Sequence, residues 1–131
     1  MILTDLHIHS CLSPCADDTM TPAAIVKAAK EAGLELIAIT DHNSARNCPA
    51  VAAEAEKAGI GFIPGIEVTT SEEIHCVCLL PDLGKAAAFS RWGMTCSDMK
   101  IETASRSMLV AFDYWQLREK FMTDSSDAFV M

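Results

Sequence analysis

Short apolar runs alternate with helix-forming runs along the first two-thirds of the chain. Residues 1–4 are apolar and β-branched, as is typical of a strand. A helix is predicted over residues 22–32, with Thr21 as its N-cap and Gly33 just beyond its end. Residues 36–40 form a short apolar run typical of a strand that is buried on both faces.

The same alternation continues further along the chain. A second helix is predicted from about residue 49 to 58, where Gly59 ends it. Residues 61–68 and 74–80 are the third and fourth predicted strands. Because strands that alternate with helices form parallel βαβ units with right-handed crossovers, we predict an α/β fold.

The last third of the chain has a different pattern. One helix is predicted over residues 83–92, and apolar residues at near-helical spacing predict another over 101–121. We therefore divide the chain into a βα region, residues 1–92, and a divergent, mainly helical tail, residues 93–131. The tail contains no histidine and is expected to contribute no metal ligand.

Composition narrows the classes of function. Half of the residues are hydrophobic and the formal net charge is −8, which indicates a globular domain and disfavours a surface that binds nucleic acid through its phosphates. Nucleic acid could still be a substrate at a metal site, where cations supply positive charge. We see neither a membrane-spanning run nor a secretory signal, and therefore expect a cytoplasmic protein with reduced cysteines. Cys76 and Cys78 are expected to be buried thiols.

Histidines and a carboxylate lie at or just beyond the ends of the predicted strands. His7 and His9 point to one face of the first strand and could grip one divalent ion, while Asp5 could hold an imidazole N–H. His42 and Glu67 follow the second and third strands in the same way. Because the carboxyl ends of parallel strands meet at one edge, where α/β proteins place their active sites, we expect these side chains to converge.

Donors of this kind favour a metal site. Mixed histidine and carboxylate ligands suit Zn, Mn or Fe in hydrolytic enzymes, and a carboxylate such as Glu67 can bridge two ions. Cys15 and His75 are further candidates, although Cys15 could be a plain loop residue and His75 a core histidine. Asp17 and Asp18 are weaker additions.

Two residues beside His42 are candidates for binding an anionic substrate. Asn43 and Arg46 lie just ahead of the N-terminus of the second predicted helix, where anions are favoured. A solvated loop arginine is the competing interpretation of Arg46.

Four motifs, in their order and spacing, resemble the PHP (polymerase and histidinol phosphatase) family. They are Asp5-Leu6-His7-Ile8-His9-Ser10, Ile39-Thr40-Asp41-His42-Asn43, Gly65-Ile66-Glu67-Val68 and Ile74-His75. The resemblance, which extends to about residue 92, implies a distorted (β/α)7 barrel with up to three divalent ions at the strand ends. It also implies a phosphoesterase that hydrolyses phosphate esters with water activated by the ions. The ligands implied are His7, His9, Cys15, His42, Glu67 and His75.

The tail departs from that family. Family members supply later strands and a late Asp-x-His ligand motif, and neither is found before Met131. A full barrel takes about 200 residues or more, so we expect an incomplete barrel that another copy of the chain could complete. The expected substrate is a small phosphorylated compound or a nucleotide, and no membrane partner is expected.

Two alternatives to a phosphoesterase remain at this point. One is a truncated, non-catalytic remnant of this family that binds metal. The other is an amidohydrolase-type metal hydrolase, a class that also opens with His-x-His but that would need a bridging lysine on a middle strand. No well-placed lysine is evident in the sequence.

Overall fold

The computed structural model describes residues 2–69 and 73–93, together with the backbone of three short strands further along. The elements of the first part are β1 (Thr4–Ile8), α1 (Pro22–Glu31), β2 (Leu36–Ile39), α2 (Cys48–Ala58), β3 (Gly61–Thr69), β4 (His75–Leu79) and α3 (Leu83–Gly93). The later strands are β5 (Ile101–Thr103), β6 (Val110–Phe112) and β7 (Phe129–Val130). None of the helices among the described residues is long and apolar enough to cross a membrane.

Five strands form one curved sheet in the order β1-β2-β3-β4-β7. β1, β2 and β3 are parallel and are joined through α1 and α2, which confirms the predicted α/β fold with parallel βα units. β4 runs antiparallel to β3, and β7 antiparallel to β4. Within the described part of the chain, β1 pairs on one side only, with β2. The sheet therefore corresponds to an incomplete, parallel-rich portion of a barrel.

The tail differs from its prediction where the structure describes it. β5 and β6 pair with each other as antiparallel strands, so the helix predicted over residues 101–121 is wrong at these two segments. Their sequences, Ile-Glu-Thr and Val-Ala-Phe, are rich in β-branched and aromatic residues that favour strands once a partner strand is available. The rest of that predicted helix lies outside the described residues. The prediction that the tail contributes no metal ligand also concerns residues that lie outside them.

β2 lies at the centre of the core. Residues 37–39 of this strand have no exposed surface, as expected for a parallel strand that is covered on both faces. Ile25 and Val26 of α1, Val51 of α2 and Ile66 of β3 are also buried, and each contributes about 1.5–3 kcal/mol through the removal of its side chain from water. This packing gives β2 and β3 fixed ends on which a site can be built.

The helix ends follow the signals in the sequence. The Thr21 hydroxyl accepts a hydrogen bond from the backbone N–H of Ala24 at 3.3 Å, which starts α1 as predicted. α2 ends at Gly59, whose φ of 71° lies in the left-handed region that favours glycine. The Lys30 ammonium group donates to the carbonyl of Ala58 at 3.2 Å and so ties α1 to the C-terminus of α2.

Candidate metal centre

The chain beyond β2 continues alongside β3 for three more residues. His42 and Glu67 form a parallel bridge. The N–H of Glu67 donates to the carbonyl of Asp41 at 3.1 Å, and the N–H of Asn43 donates to the carbonyl of Glu67 at 2.9 Å. These bonds hold the His42 side chain beside the Glu67 carboxylate.

The pairing between β1 and β2 is irregular next to the His-x-His motif. Asp5 pairs with Ile37 but Ile8 pairs with Ile39, so the register shifts between them. An irregularity of this kind bends a strand and re-aims its side chains. The Asp5 carboxylate accepts a hydrogen bond from the backbone N–H of His7 at 3.2 Å. Asp5 therefore supports the backbone here, and the expectation that it would hold an imidazole N–H is wrong.

Both histidines of the motif reach Glu67. The Nε2 atoms of His7 and His9 lie 3.1 and 3.0 Å from Oε2 of Glu67, and they lie 3.1 Å from each other. The His9 side chain is 20% exposed and that of His7 is 51% exposed. The predicted convergence of these side chains at one edge of the sheet is what the structure shows.

His75 reaches the same edge because β4 is antiparallel. It is the first residue of β4 and pairs with Thr69 near the end of β3. The start of an antiparallel strand lies beside the end of its neighbour, so the His75 ring faces the carboxylate: its Nδ1 atom is 3.1 Å from Oε1 of Glu67. With its side chain 48% exposed, His75 is not a core histidine, and that alternative is wrong.

Glu67 lies at the centre of the four histidines. Its Oε2 atom faces His7 and His9 and lies 3.6 Å from Nδ1 of His42, whereas its Oε1 atom faces His75. Burial by itself would raise the pKa of Glu67. The hydrogen bond from His7 and the attraction of the surrounding imidazoles outweigh burial, so the pKa of Glu67 lies below its usual value. The carboxylate is therefore ionised, and its two oxygens face different imidazoles.

Three overlapping sets of side chains could each hold a metal ion. They are the His7 set (His7, His9, Glu67), the His75 set (His42, Glu67, His75) and the Cys15 set (His9, Cys15, His42). Within each set the ligand atoms lie within 4.8 Å of one another. Nitrogen, oxygen and sulfur donors in groups of three fit Zn, Mn or Fe and leave coordination positions open for water or a substrate. All six residues proposed from the sequence as ligands belong to these sets.

Ser13 contacts two of the candidate ligands, a role that the sequence did not predict. Its hydroxyl, in the loop after β1, accepts a hydrogen bond from the backbone N–H of His42 at 2.9 Å and lies 3.1 Å from Nδ1 of His9. The residue is buried. If His9 donates its Nδ1–H to this hydroxyl, its Nε2 lone pair is free for an ion. A serine in a polar loop carries no sequence signal for that role.

A buried network ties the loop after β1 to the loop after β2. The Asp41 carboxylate accepts hydrogen bonds from the backbone N–H of Ser10 at 2.6 Å and from the Ser10 hydroxyl at 2.5 Å. The Asn47 amide donates to the same hydroxyl at 2.7 Å. Because Ser10 follows His9 and Asp41 precedes His42, this network fixes the two ligands relative to each other. Both residues lie within the quoted motifs, but their type alone did not reveal this role.

The remaining candidates lie around the sets. The Asn43 side-chain oxygen accepts a hydrogen bond from the N–H of Thr69 at 2.9 Å, and its backbone φ is 52°, so this residue shapes the loop. Arg46 is exposed in the loop ahead of α2. A contact of either residue with a substrate stays a prediction. Asp17 and Asp18 are exposed and belong to none of the three sets.

Among the described cysteines three are buried, Cys11 is half-buried and Cys15 is exposed. Burial raises the pKa of Cys48 to about 11 and that of Cys78 to about 12, so both remain protonated. Cys76 is buried as well, which confirms the prediction for the pair on β4. Cys15, by contrast, is exposed within its ligand set.

Comparison with known proteins matches most of this chain to one family. The model of the PHP domain matches residues 5–120. The 5'-3' exoribonuclease Rnm of Salmonella typhimurium is 35% identical over 91 residues, which cover 66% of this chain and 30% of that enzyme. The 3',5'-nucleoside bisphosphate phosphatase of Chromobacterium violaceum is 37% identical over 73 residues, or 56% of this chain and 25% of the relative.

A solved structure supports the same fold. The protein from Bifidobacterium adolescentis assigned as a metal-dependent phosphoesterase superposes with a TM-score of 0.59 at 24% sequence identity. The match covers 72% of this chain and 32% of that structure. The chain thus spans between 25% and 32% of the length of these three proteins.

Proposed function

This chain belongs to the PHP domain family, and we propose that it carries the metal centre of a phosphoesterase that hydrolyses a phosphate ester of a nucleotide or of a nucleic-acid end. Relatives named for action on RNA and on nucleoside bisphosphates support this class of substrate. The proposed ligands are the six members of the three sets. Zn, Mn and Fe all fit these donors.

The observation that carries the proposal is the position of the Glu67 carboxylate. One of its oxygens lies among the imidazoles of the His7 set and the other faces His75. A single carboxylate can therefore serve two neighbouring ligand sets. Paired divalent ions, when bound, acidify water and neutralise charge on a phosphate group during hydrolysis.

Residues next to the proposed ligands hold the donor atoms in place. Ser13 orients His9 and fixes the backbone at His42, while Asp41 holds the loop of His9 against the loop of His42. The chain itself has a formal charge of −8, so attraction of a phosphate depends on the bound cations and on single groups such as Arg46. The Arg46 contact is part of the proposal.

The proposal is tested by metal analysis of the purified chain and by hydrolysis of p-nitrophenyl phosphate and a nucleoside 3',5'-bisphosphate with added Mn²⁺ or Zn²⁺. We expect bound metal, and turnover that is low in the monomer and rises with protein concentration. Glu67→Gln should lower both by at least about 100-fold, since outer partners of ligands already account for about 10–100-fold. The control is Glu54→Gln, which removes a carboxylate paired with Lys57 on α2 and should change neither.

Different failures identify the two alternatives. Metal binding without turnover of either phosphate ester would support the non-catalytic remnant. Cleavage of amide substrates in place of phosphate esters would support the amidohydrolase-type hydrolase. Equal activity of Glu67→Gln and the unchanged chain would contradict a site centred on Glu67.

The proposed partners include a second copy of the chain. β1 pairs on one side only within the described residues, and its neighbouring apolar side chains Ile2 and Leu3 are 66% and 50% exposed. A strand edge of this kind can pair with another strand. Another copy could supply further donors to the three ligand sets.

A further inference from the structure

The pairing of the chain beyond β2 with β3 ends at Asn43. The N–H of Glu67 donates to the carbonyl of Asp41 at 3.1 Å, and the N–H of Asn43 donates to the carbonyl of Glu67 at 2.9 Å. In a parallel ladder the next bond would join the N–H of Thr69 to the carbonyl of Asn43. In this chain that N–H donates to the side-chain oxygen of Asn43, Oδ1, at 2.9 Å. The side chain therefore takes the place of a backbone carbonyl and extends the ladder by one bond.

The backbone at Asn43 explains why a side chain fills this position. Its φ of 52° lies in the left-handed region, which turns the chain out of the extended conformation of β2. Asparagine is one of the few residues other than glycine that adopt this conformation readily. Its short amide also carries an acceptor oxygen close enough to the backbone to replace a carbonyl. Asn43 thus combines a turn away from β3 with a hydrogen bond back to it.

The bond from Thr69 to Asn43 lies beside one of the proposed ligands. Thr69 is the last residue of β3 and pairs with His75, the first residue of β4. Strand ends open more readily than strand centres, because they have fewer buried contacts. The His75 side chain is 48% exposed, and its Nδ1 atom lies 3.1 Å from Oε1 of Glu67. The bond to Asn43 therefore holds the strand end against which His75 is placed.

We propose that Asn43 is a positioning residue that, through Thr69, holds His75 beside Glu67. The inference rests on the proposed metal centre and specifies how one part of that centre is kept in order. It gives Asn43 a role other than the predicted contact with a substrate. Loss of the Asn43 oxygen should therefore weaken the His75 set more than the His7 set, whose histidines come from β1 and the residue after it.

Two substitutions separate the acceptor oxygen from the backbone conformation. Asn43→Gly keeps the left-handed φ but removes the acceptor, whereas Asn43→Asp keeps an acceptor oxygen and tolerates the same φ. Amide hydrogen exchange of the metal-free chain, followed by NMR, reports the bond directly. The Thr69 amide should exchange about tenfold faster in Asn43→Gly, as expected for local opening after the loss of one hydrogen bond, and at nearly the unchanged rate in Asn43→Asp. Equal exchange in Asn43→Gly and the unchanged chain would contradict the role of the side chain.

Ser44→Ala is a matched control in the same loop. The Ser44 hydroxyl accepts a hydrogen bond from the backbone N–H of Arg46 at 3.2 Å, so this variant also deprives a backbone N–H of a side-chain acceptor. Because that bond does not reach β3, neither the exchange of the Thr69 amide nor metal affinity should change. Changes as large as those in Asn43→Gly would show that any loosening of this loop has the same effect, and would overturn the specific role of Asn43.

Metal titration tests the step from Thr69 to His75. Asn43→Gly should bind Zn²⁺ about tenfold more weakly under conditions in which the variant is fully folded, which is the lower end of the effect of outer partners of metal ligands. This loss should disappear in a His75→Ala background and persist in a His7→Ala background, because His75 is the residue through which Asn43 acts. Equal losses in both backgrounds would overturn the inference.

The same experiments separate this inference from the proposed function and from a substrate contact. If the unchanged chain binds metal and hydrolyses phosphate esters but Asn43→Gly binds metal equally well, only the inference about Asn43 fails. If the unchanged chain binds no metal, the proposed metal centre fails as well. If Asn43→Gly raises the KM for the phosphate ester without lowering metal affinity, Asn43 contacts the substrate and does not act through His75.

Discussion

Ser13→Ala removes one buried hydroxyl group that contacts two proposed ligands. In the unchanged chain this hydroxyl accepts a hydrogen bond from the backbone N–H of His42 at 2.9 Å and lies 3.1 Å from Nδ1 of His9. Alanine has no polar atom at this position. The His42 N–H then loses its acceptor, and the His9 ring loses the partner that orients it.

The structure sets the size of both effects. A buried backbone N–H without a partner costs about 1–3 kcal/mol, so the free energy of unfolding of the metal-free variant should fall by that amount. A ligating histidine that loses the partner of its second nitrogen typically loses about 10–100-fold in metal affinity. Ser13→Ala should therefore weaken metal binding even under conditions in which the protein is fully folded.

A matched variant separates stability from metal binding. The Ser90 hydroxyl, which is also buried, accepts a hydrogen bond from the backbone N–H of Ala45 at 3.1 Å. Ser90→Ala should cost a comparable free energy of unfolding without changing metal affinity. Urea unfolding with a chelator gives the first quantity, and titration calorimetry with Zn²⁺ or Mn²⁺ gives the second. If Ser13→Ala binds metal as tightly as Ser90→Ala does, the hydroxyl does not orient His9.

Three further predictions address the fold, the pH dependence and the assembly. Gly65→Ala should destabilise the chain by about 1–3 kcal/mol in urea unfolding, because a Cβ atom there would lie 2.9 Å from the buried Thr40 methyl group. Gly84→Ala, where a Cβ atom would lie 3.1 Å from Oδ1 of the exposed Asp82 side chain, should cost less. The free energy of unfolding of the metal-free chain should be highest above about pH 6.5 and fall as acid is added, with a slope of at most about 1.4 kcal/mol per pH unit for one proton. Burial lowers the pKa of His9 despite the attraction of Glu67, so on acidification the His9 side chain takes up a proton in the unfolded chain before it does so in the folded chain. The His9→Asn variant should therefore lose stability less steeply as acid is added. An equally steep profile in this variant would contradict the assignment of the pH dependence to His9. Finally, phosphoester turnover per chain should be low in the monomer and rise with protein concentration; constant turnover by a monomer proven in sedimentation would exclude completion by a second copy.

Much of the βα region could be read from the sequence because its signals are local. The cap at Thr21 and the glycine at position 59 act within one helical turn, and they predicted the helix ends that the structure has. The apolar run of β2 indicated a strand buried on both faces, and its residues 37–39 have no exposed surface. Four of the candidate ligands, which are His7, His9, His42 and Glu67, could be placed together because parallel topology brings the ends of β1, β2 and β3 to one edge. The positions of Cys15 and His75 do not follow from that topology.

Local sequence patterns predicted the wrong secondary structure where pairing with another strand determines the conformation. Apolar residues at near-helical spacing predicted a helix over residues 101–121, yet β5 and β6 pair as strands within it. In a short segment, hydrogen bonds to a partner strand outweigh the helical spacing of the apolar residues. The direction of β4 is a similar case, because the residues of this strand do not encode whether it runs with or against β3.

The arrangement of the donors around Glu67 depends on contacts between residues that are distant in the chain. The antiparallel direction of β4 brings His75 to the oxygen of Glu67 opposite the one that His7 and His9 face. The Ser13 hydroxyl joins His9 to His42 across the gap between two loops. Residue types along the chain could name the ligands, because metal chemistry restricts them to few kinds. Which ligands share an ion follows from distances of a few ångströms that only the packed sheet creates.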